Sequence, residues 1–184
     1  MRRLSAFNFI SLNGFYKGLN GDISWHRHGE EENTFSADSL GAGNILLFGR
    51  ITYEMMAAYW PSPMALQNDP VNAAGMNRAQ KIVFSRTLKE TNWENSTLIK
   101  DNITEEIAKM KRQDGKHMTI LGSGSIITQF AEAGLIDEYM FMIDPVAIPE
   151  GTAVFDGIRH KLDLELIAVR HFKSGTVLLT YRPL

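Results

Sequence analysis

Segments typical of strands and of helices alternate along almost the whole of this 184-residue chain. The run Ile45-Leu46-Leu47-Phe48 is short, continuously apolar and followed at once by Gly49. A run of this kind is typical of a strand that is buried on both of its faces. Such strands occur in parallel sheets that carry helices on both sides. The pattern therefore predicts a three-layer α/β architecture with a mainly parallel central sheet.

The spacing of apolar residues and the turn signals predict the individual elements. Strands are expected at residues 4–10, 45–48, 81–85, 97–100, 117–121 and 138–143. Helices are expected at residues 31–40, 52–59, 71–79 and 125–133, with one more around Ile103, Ile107 and Met110. Pro61 and Pro63 are expected to end the second of these helices. Residues 163–171 and 176–182 are both extended in pattern and flank a short turn, which predicts a C-terminal antiparallel hairpin.

Composition places the chain among ordinary globular proteins. It has 44% hydrophobic residues and no linker-like tract, so we expect a single domain over residues 1–184. The formal net charge is -2 and the basic residues are scattered, which argues against a nucleic-acid partner. The basic start Arg2-Arg3 is not followed by an apolar region of signal-peptide length, and no run approaches the ~18 apolar residues of a membrane span. We therefore expect a cytoplasmic protein with no membrane partner.

The residue types present also limit the chemistry. The chain has no cysteine, which excludes disulfides, thiol nucleophiles and cysteine–zinc sites. His26 and His28 form a His-x-His segment, but no third ligand stands at a spacing that zinc sites use. We expect no metal site.

Two predicted strands end in glycine turns that lead into helices, which is where open α/β sheets bind ligands. The first turn holds Gly49, Arg50 and Thr52, and its free helix N–H groups suit a pyrophosphate. The second is Gly122-Ser123-Gly124-Ser125, whose amides and hydroxyls can surround a phosphate although the third glycine of a dinucleotide fingerprint is missing. Each turn alone also fits simple packing, with Thr52 capping its helix in the first case.

Ser85 and Arg86 follow a third predicted strand. A guanidinium matches the oxygens of a phosphate, so the pair suits the 2′-phosphate that distinguishes NADP from NAD. No acidic residue stands at the end of this strand to favour an unphosphorylated ribose. A solvent-exposed arginine without a ligand is the plain alternative.

Six short motifs occur in a fixed order along the chain. They are Ser11-Leu12-Asn13-Gly14, Gly49-Arg50-x-Thr52-Tyr53-Glu54, Val83-x-Ser85-Arg86-Thr87, Leu121-Gly122-Ser123-Gly124, Gly134-Leu135-Ile136-Asp137-Glu138 and Ser174-Gly175. In this order they resemble the dihydrofolate-reductase-like family, and most closely its RibD C-terminal branch of riboflavin-pathway reductases. The likeness spans nearly the whole chain. It implies a three-layer αβα dihydrofolate-reductase-like fold, NADPH as cofactor, hydride transfer to a small-molecule substrate, and a homodimer.

The resemblance also implies which residues would bind the cofactor. Ser11, Gly14 and Phe15 would lie beside the nicotinamide. The phosphates and riboses of the cofactor would be held by Gly49, Arg50, Thr52, Ser85, Arg86, Gly122, Ser123, Gly124 and Ser125.

The substrate side departs from the family pattern. Asn13 stands where the family usually has an aspartate, so this candidate catalytic residue lacks the charge. Pro149-Glu150-Gly151 replaces a Gly-x-Gly segment, which leaves Gly151 as a candidate substrate contact. Glu31 is a candidate proton donor, with simple complementarity to the helix dipole as its alternative. Trp60 is a candidate wall for an aromatic substrate, with core packing as its alternative.

The resulting hypothesis is an NADPH-dependent reductase that transfers hydride to a small heterocyclic or sugar-derived substrate, most like 5-amino-6-(5-phosphoribosylamino)uracil. Two alternatives stay open: a pterin reductase of the dihydrofolate reductase type, and a non-catalytic NADPH-binding or regulatory protein. A bifunctional deaminase-reductase is excluded, because a zinc deaminase domain needs cysteines that this chain lacks.

Overall fold

The computed structural model describes residues 1–27 and 29–184 of the chain. In this part, the strands are β1 (Leu4–Ser11), β2 (Phe15–Lys17), β3 (Ile45–Gly49), β4 (Lys81–Phe84), β5 (Ser96–Ile99), β6 (Met118–Leu121), β7 (Glu138–Asp144), β8 (Thr152–Ala153), β9 (Leu164–His171) and β10 (Val177–Pro183). The α-helices are α1 (Glu30–Gly41), α2 (Arg50–Tyr59), α3 (Pro63–Asn68), α4 (Pro70–Arg78), α5 (Ile103–Arg112) and α6 (Gly124–Glu132).

Eight of the strands form one sheet in the order β5-β4-β3-β6-β1-β7-β10-β9. The pairs from β5 to β7 are all parallel, whereas β10 runs antiparallel to both β7 and β9. The predicted mainly parallel sheet with a C-terminal antiparallel hairpin is confirmed. Because the six parallel strands point the same way, the turns that follow β1, β3, β4 and β6 all lie at the carboxyl-end side of the sheet.

The central strand β3 is buried on both faces, as its continuous apolar sequence predicts. Ile45 and Leu47 belong to one core cluster, together with residues of α5 and α6 such as Ile107 and Phe130. The alternate residues Leu46 and Phe48 belong to a second cluster with Tyr53, Met76 and Trp93, which lie on α2, α4 and the β4–β5 loop. Side chains of a strand alternate between its faces, so one short run contributes to both cores.

The prediction missed the helix α3. Pro61 and Pro63 do follow the end of α2, but the same segment begins the next helix. The Oγ of Ser62 accepts a hydrogen bond from the N–H of Ala65 at 3.2 Å, and Pro63 occupies the first helical position. Serine followed by proline is therefore a start signal here as well as a stop signal.

Two further details differ from the sequence analysis. Thr52 does not cap α2, because Gly49 is the residue that precedes the first turn and Thr52 lies inside that turn. The short antiparallel pair β2–β8, which joins Phe15 and Lys17 to the segment after β7, was also not predicted. Both strands are too short to give a pattern that a sequence could show.

None of the helices in residues 1–27 and 29–184 is long and apolar enough to cross a membrane.

Candidate functional site

The two glycine turns, which follow β3 and β6, meet at the carboxyl ends of these strands. The backbone N–H of Gly49 donates to the Oγ of Ser123 at 2.9 Å, and the same hydroxyl donates to the carbonyl oxygen of Leu121 at 3.1 Å. Gly122 and Ser123 both have left-handed backbones, with φ of 57° and 59°. Ser123 thus adopts a conformation that L-residues rarely take, which turns the chain sharply into α6.

The helices α2 and α6 begin side by side at this contact with free N–H groups. Neither has a side-chain cap or an acidic residue in its first turn. In the other described α-helices, α1 and α5 have glutamates in the first turn, and α3 and α4 have side-chain caps. Uncapped N-termini without acidic residues leave their partial positive charge available, which suits an anion.

A buried amide lies at the same place. Asn8 is only 3% exposed, and its Nδ2 has no hydrogen-bond partner among the described residues. Its Oδ1 would be 3.7 Å from a Cβ placed on Gly122, and the Cγ2 of Thr52 would be 3.2 Å from it. Asn8, Thr52 and Gly122 therefore border one space. A buried donor without a partner costs stability unless something else satisfies it, so this amide fits a bound polar group.

Tyr16 covers the second glycine turn. A Cβ on Gly124 would lie 2.7 Å from a ring carbon of Tyr16, so a residue larger than glycine would displace that ring. Tyr16 belongs to β2 and packs against the main core. The absence of a side chain at Gly124 thus lets β2 approach the start of α6, which the sequence motif alone could not show.

Ser85 and Arg86 lie beside an open groove of about 470 Å³ that Arg50, Glu54 and Thr87 help to line. The Oγ of Ser85 accepts hydrogen bonds from the N–H groups of Thr87 and Leu88, at 3.2 and 2.9 Å. These bonds shape the turn that contains Arg86, at the carboxyl end of β4.

Arg86 and Arg50 each pair with a carboxylate, which the sequence analysis does not predict. The Arg86 guanidinium is 83% exposed and its Nε lies 3.4 Å from the Oδ1 of Asp101, which follows β5. The sequence showed no acid at the end of Arg86's own strand, but the parallel neighbour supplies one. Arg50 in turn pairs with Glu54 at 2.9 Å. Both pairs are solvent-exposed, so each binds its arginine only weakly and leaves it able to contact a phosphate.

The turn after β1 is fastened to the segment after β7 by Asn13. Its Nδ2 donates to the carbonyl oxygen of Ile148 at 2.8 Å, and its Oδ1 accepts from the N–H of Ile148 at 3.2 Å and from the Oγ of Ser11 at 2.8 Å. The Oγ of Ser11 also accepts from the N–H of Phe15, at 3.1 Å, and Gly14 has φ of 88°. Both polar atoms of the Asn13 amide group are thus used: two of its three hydrogen bonds hold the two loops together, and the third stays within the β1 turn.

Gly151 lies in the second of these loops, directly against β2. A Cβ on Gly151 would come within 3.1 Å of the Cβ of Phe15 and closer still to the backbone of Lys17. The structure accounts for this glycine by the close approach of β8 to β2. Its predicted role as a substrate contact is not needed to explain it.

The acidic start of α1 contacts the C-terminal hairpin. Glu31 accepts a hydrogen bond from the N–H of Lys173 at 3.1 Å and pairs with the ammonium of the same residue. The backbone hydrogen bond, followed by the Lys173 side chain, holds the pKa of Glu31 below its usual range. The neighbouring Glu32 is 2% exposed and accepts from Ser174. A carboxyl held ionised in this way is poorly suited to donate a proton.

Trp60 lies at the far end of α2 from the glycine turns. A helix of this length places it about 15 Å from Gly49. Its Nε1 lies 3.0 Å from the Sδ of Met56, its carbonyl accepts from Asn77, and its ring packs on Tyr59. The structure thus puts Trp60 in packing contacts of the second core cluster and does not bring it to the predicted site.

A buried pair that the sequence did not single out lies beside the β1 turn. The Nδ1 of His26 is 2.7 Å from the Oδ2 of Asp144, the last residue of β7. Asp144 stands next to Ser11 in the register of β7 with β1. No group of three or more metal-ligating side chains occurs in the part of the chain that the structure describes. His28, the other half of the His-x-His segment, lies outside the described residues.

Together these observations fit a dinucleotide. Gly49, Thr52 and the turn 122–125 would hold phosphates at the two helix N-termini, and Asn8 would donate to a polar group of the ligand. Ser85 and Arg86 follow β4, on one side of the two glycine turns. Ser11 ends β1, which lies on the other side, next to β6. The predicted cofactor residues therefore follow one line along the carboxyl ends of β4, β3, β6 and β1.

The sequence matches the family of the RibD C-terminal domain over residues 2–178, so the chain belongs to that family. The uncharacterized protein YyaP of Bacillus subtilis (strain 168) is 31% identical over 180 residues, which cover 98% of this chain and 94% of that protein. The resemblance inferred from the ordered motifs is confirmed.

Solved structures share the fold. A putative riboflavin biosynthesis protein from Shewanella sp. PV-4 superposes with a TM-score of 0.78 at 19% identity and covers 99% of each chain. A dihydrofolate reductase from Enterococcus faecalis complexed with NADP(H) and RAB-propyl has a TM-score of 0.66 at 19% identity, with 98% of this chain and 96% of that chain covered. The family is thus that of the RibD C-terminal domain, and the fold is the one that these two solved structures share.

Proposed function

We propose that this protein is an NADPH-dependent reductase that acts on a small heterocyclic or sugar-derived substrate. The observation that carries the proposal is the meeting of two uncapped helix N-termini at the Gly49–Ser123 hydrogen bond. Backbone N–H groups and two helix dipoles converge there, as binding of a pyrophosphate requires. The NADP(H) held by a dihydrofolate reductase of the same fold agrees with this choice of ligand.

The residues of this chain would bind and orient, while the cofactor would supply hydride from its nicotinamide ring. Arg86 carries an exposed guanidinium for the 2′-phosphate. The Ser11–Phe15 turn borders the other end of the line, where Asn13 keeps it in a fixed position against Ile148. Fixed placement of two reactants is a large part of what such an enzyme contributes to the rate.

The substrate class is the finer part of the proposal. The Shewanella protein of this fold is named as a putative riboflavin biosynthesis protein, which favours a substrate like 5-amino-6-(5-phosphoribosylamino)uracil. A pterin reductase would need a carboxyl that can donate a proton, and Glu31 is held ionised by Lys173. We therefore favour the riboflavin-type substrate over a pterin.

Calorimetric titration with NADPH and NADH tests cofactor and site together. Loss of one charge-assisted phosphate contact, about 1.5–3 kcal/mol, should weaken NADPH binding to Arg86→Ala about tenfold or more. NADH binding should change less than twofold. Arg159→Ala is the matched control, because Arg159 is also an exposed arginine paired with a carboxylate, Glu132.

Turnover separates an enzyme from a non-catalytic binder. Oxidation of NADPH in the presence of the pyrimidine or a related carbonyl or imine acceptor supports a reductase. Binding without consumption of NADPH supports the regulatory alternative. If neither nucleotide binds the wild type at millimolar concentration, the proposal is wrong and only the fold and the family remain.

A further inference from the structure

The tripeptide Leu-Asn-Gly occurs twice near the start of the chain, as Leu12-Asn13-Gly14 and Leu19-Asn20-Gly21. These are the only two asparagines of the sequence that precede a glycine. An asparagine in this position is especially prone to spontaneous deamidation, because glycine has no side chain to obstruct attack by its own backbone nitrogen. Since the same tripeptide surrounds both asparagines, a large difference in their reactivity has to come from the fold.

The reaction has two steps and consumes only water. The backbone nitrogen of the glycine loses its proton and attacks the side-chain carbonyl carbon of the asparagine, so that a new N–C bond forms, the bond to Nδ2 breaks and ammonia leaves. Water then hydrolyses the cyclic succinimide at either of its carbonyls, which gives aspartate or isoaspartate. The reaction therefore requires a glycine N–H that can be released and an asparagine side chain that can turn toward it.

Hydrogen bonds hold Asn13 back from this reaction. Its Nδ2 donates to the carbonyl oxygen of Ile148, and its Oδ1 accepts from the N–H of Ile148 and from the Oγ of Ser11. The attacking nitrogen is also engaged, because the N–H of Gly14 donates to the carbonyl oxygen of Ser11 at 2.9 Å. Asn13 is exposed to solvent, so its protection comes from these bonds and not from burial. Succinimide formation would need the whole turn to open first.

Asn20 is equally exposed but much less restrained. It lies in the short turn Leu19–Gly21, and its side-chain amide forms no hydrogen bond with any residue that the structure describes. Its backbone is left-handed, with φ of 54°, so opening of the turn relieves strain. The N–H of Gly21 donates to the carbonyl oxygen of Gly18 at 3.2 Å, the upper end of the usual range. This one long bond at the surface is what restrains the attacking nitrogen.

We propose that Asn20 is a site of spontaneous deamidation in the folded protein, whereas Asn13 is protected. The product carries a new carboxylate two residues before Asp22, so the net charge becomes more negative by one unit. An isoaspartate also adds one carbon atom to the backbone, which displaces the N–H of Asp22 from the carbonyl oxygen of Leu19, 3.1 Å away. The modification therefore alters the loop after β2 and leaves the contacts of Asn13 intact.

The first test compares the two asparagines within one protein. Trypsin places them on separate peptides, residues 4–17 and 18–27, because Arg3, Lys17 and Arg27 flank them. The wild type is kept in warm, mildly alkaline buffer, and mass spectrometry of the digests follows the gain of one mass unit. In the folded protein the 18–27 peptide should convert at least about tenfold faster than the 4–17 peptide. In urea, where the hydrogen bonds of Asn13 are lost, the two rates should become similar.

Asn20→Gly is the matched variant, because glycine adopts the left-handed backbone of this position but has no side-chain amide to lose. Isoelectric focusing of the stored wild type should show an acidic band that grows with time, and Asn20→Gly should lack it. Equal conversion of the two peptides in the folded protein, no conversion of the 18–27 peptide, a difference that is just as large in urea, or the same acidic band in Asn20→Gly would overturn the proposal. None of these results depends on nucleotide binding.

Discussion

The Nδ1 of His26 lies 2.7 Å from the Oδ2 of Asp144, and these two side chains are 6% and 0% exposed. The other carboxylate oxygen accepts the N–H of Arg27 at 3.0 Å, and the imidazole ring lies on Phe9 with centroids 3.6 Å apart. The pair thus anchors the loop before α1 to the end of β7, beside Ser11. Because burial makes an unpaired carboxylate costly, the two partners depend on each other.

Asp144→Asn should therefore lower the free energy of unfolding by about 1.5–3 kcal/mol at neutral pH, since it replaces a charged acceptor with two oxygens by a neutral amide with one, while it keeps the volume of the side chain. Urea denaturation measures this difference. Asp163→Asn is the control, because Asp163 is exposed and forms its ion pair with the exposed Lys161, and it should cost less than about 1 kcal/mol. Equal losses in the two variants would show that the buried pair is not an anchor.

The role of Asn13 can be tested by the hydrogen-exchange rate of a single backbone amide, that of Ile148. Asn13→Ala removes the acceptor for the N–H of Ile148, so hydrogen exchange at Ile148 should become at least about tenfold faster. Asn13→Asp keeps this acceptor and should largely preserve the protection. The N–H of Leu12, which donates to the carbonyl of Val146 at 2.7 Å, is the internal reference and should not change in either variant. Fast exchange at Leu12 as well would indicate that the whole turn unfolds.

Asp101 is expected to reduce the preference for a 2′-phosphate under the proposed function. Its carboxylate lies 3.4 Å from the Arg86 guanidinium and would compete with the phosphate for it. An exposed pair of this kind is worth up to about 1 kcal/mol, so Asp101→Asn should strengthen NADPH binding up to about fivefold. Calorimetry at low ionic strength measures the gain, which added salt should reduce. An equal gain for NADH would assign the effect to general charge instead.

Local patterns in the sequence were sufficient to predict the fold. The run 45–48 predicts a strand buried on both faces, and the hairpin was placed within one residue of its observed ends at 164–171 and 177–183. The glycine turns were found because a strand, a glycine and a helix follow one another directly in the chain. Features of this kind depend on neighbours in sequence, which a single sequence contains.

The parts of the site that were missed depend on contacts between distant segments. His26 meets Asp144 across 118 residues, and Asn13 meets Ile148 across 135. Asp101 reaches Arg86 only because β4 and β5 are parallel neighbours. Nothing in the local sequence distinguishes these residues from exposed polar ones. For Trp60 the local sequence is also uninformative: an aromatic residue near a predicted site has the same local pattern whether it lines a pocket or packs in the core.

Lys81 is a buried cation whose pKa gives a prediction for alkaline pH. Its side chain is 1% exposed, and its ammonium donates to the carbonyl oxygens of Asn77, Ala79 and Glu94 at 2.7–3.0 Å, with the Trp93 ring 4.3 Å away. Burial lowers the pKa of Lys81 from 10.5 to about 8. Between these two values the unfolded chain binds a proton that the folded chain does not, so the free energy of unfolding rises with pH in this window. Below pH 8 both states are protonated and this gain is absent.

The measurement is the difference in unfolding free energy between the wild type and Lys81→Met from pH 7 to 10.5. Because other groups titrate equally in both proteins, the difference isolates Lys81, and it should rise in favour of the wild type by up to about 3 kcal/mol. Lys161→Met is the control, since Lys161 is 83% exposed and no such burial acts on it, so its difference from the wild type should not rise over the same range. A flat difference for Lys81→Met would mean that the three carbonyls and the Trp93 ring stabilise the ammonium enough to cancel the effect of burial.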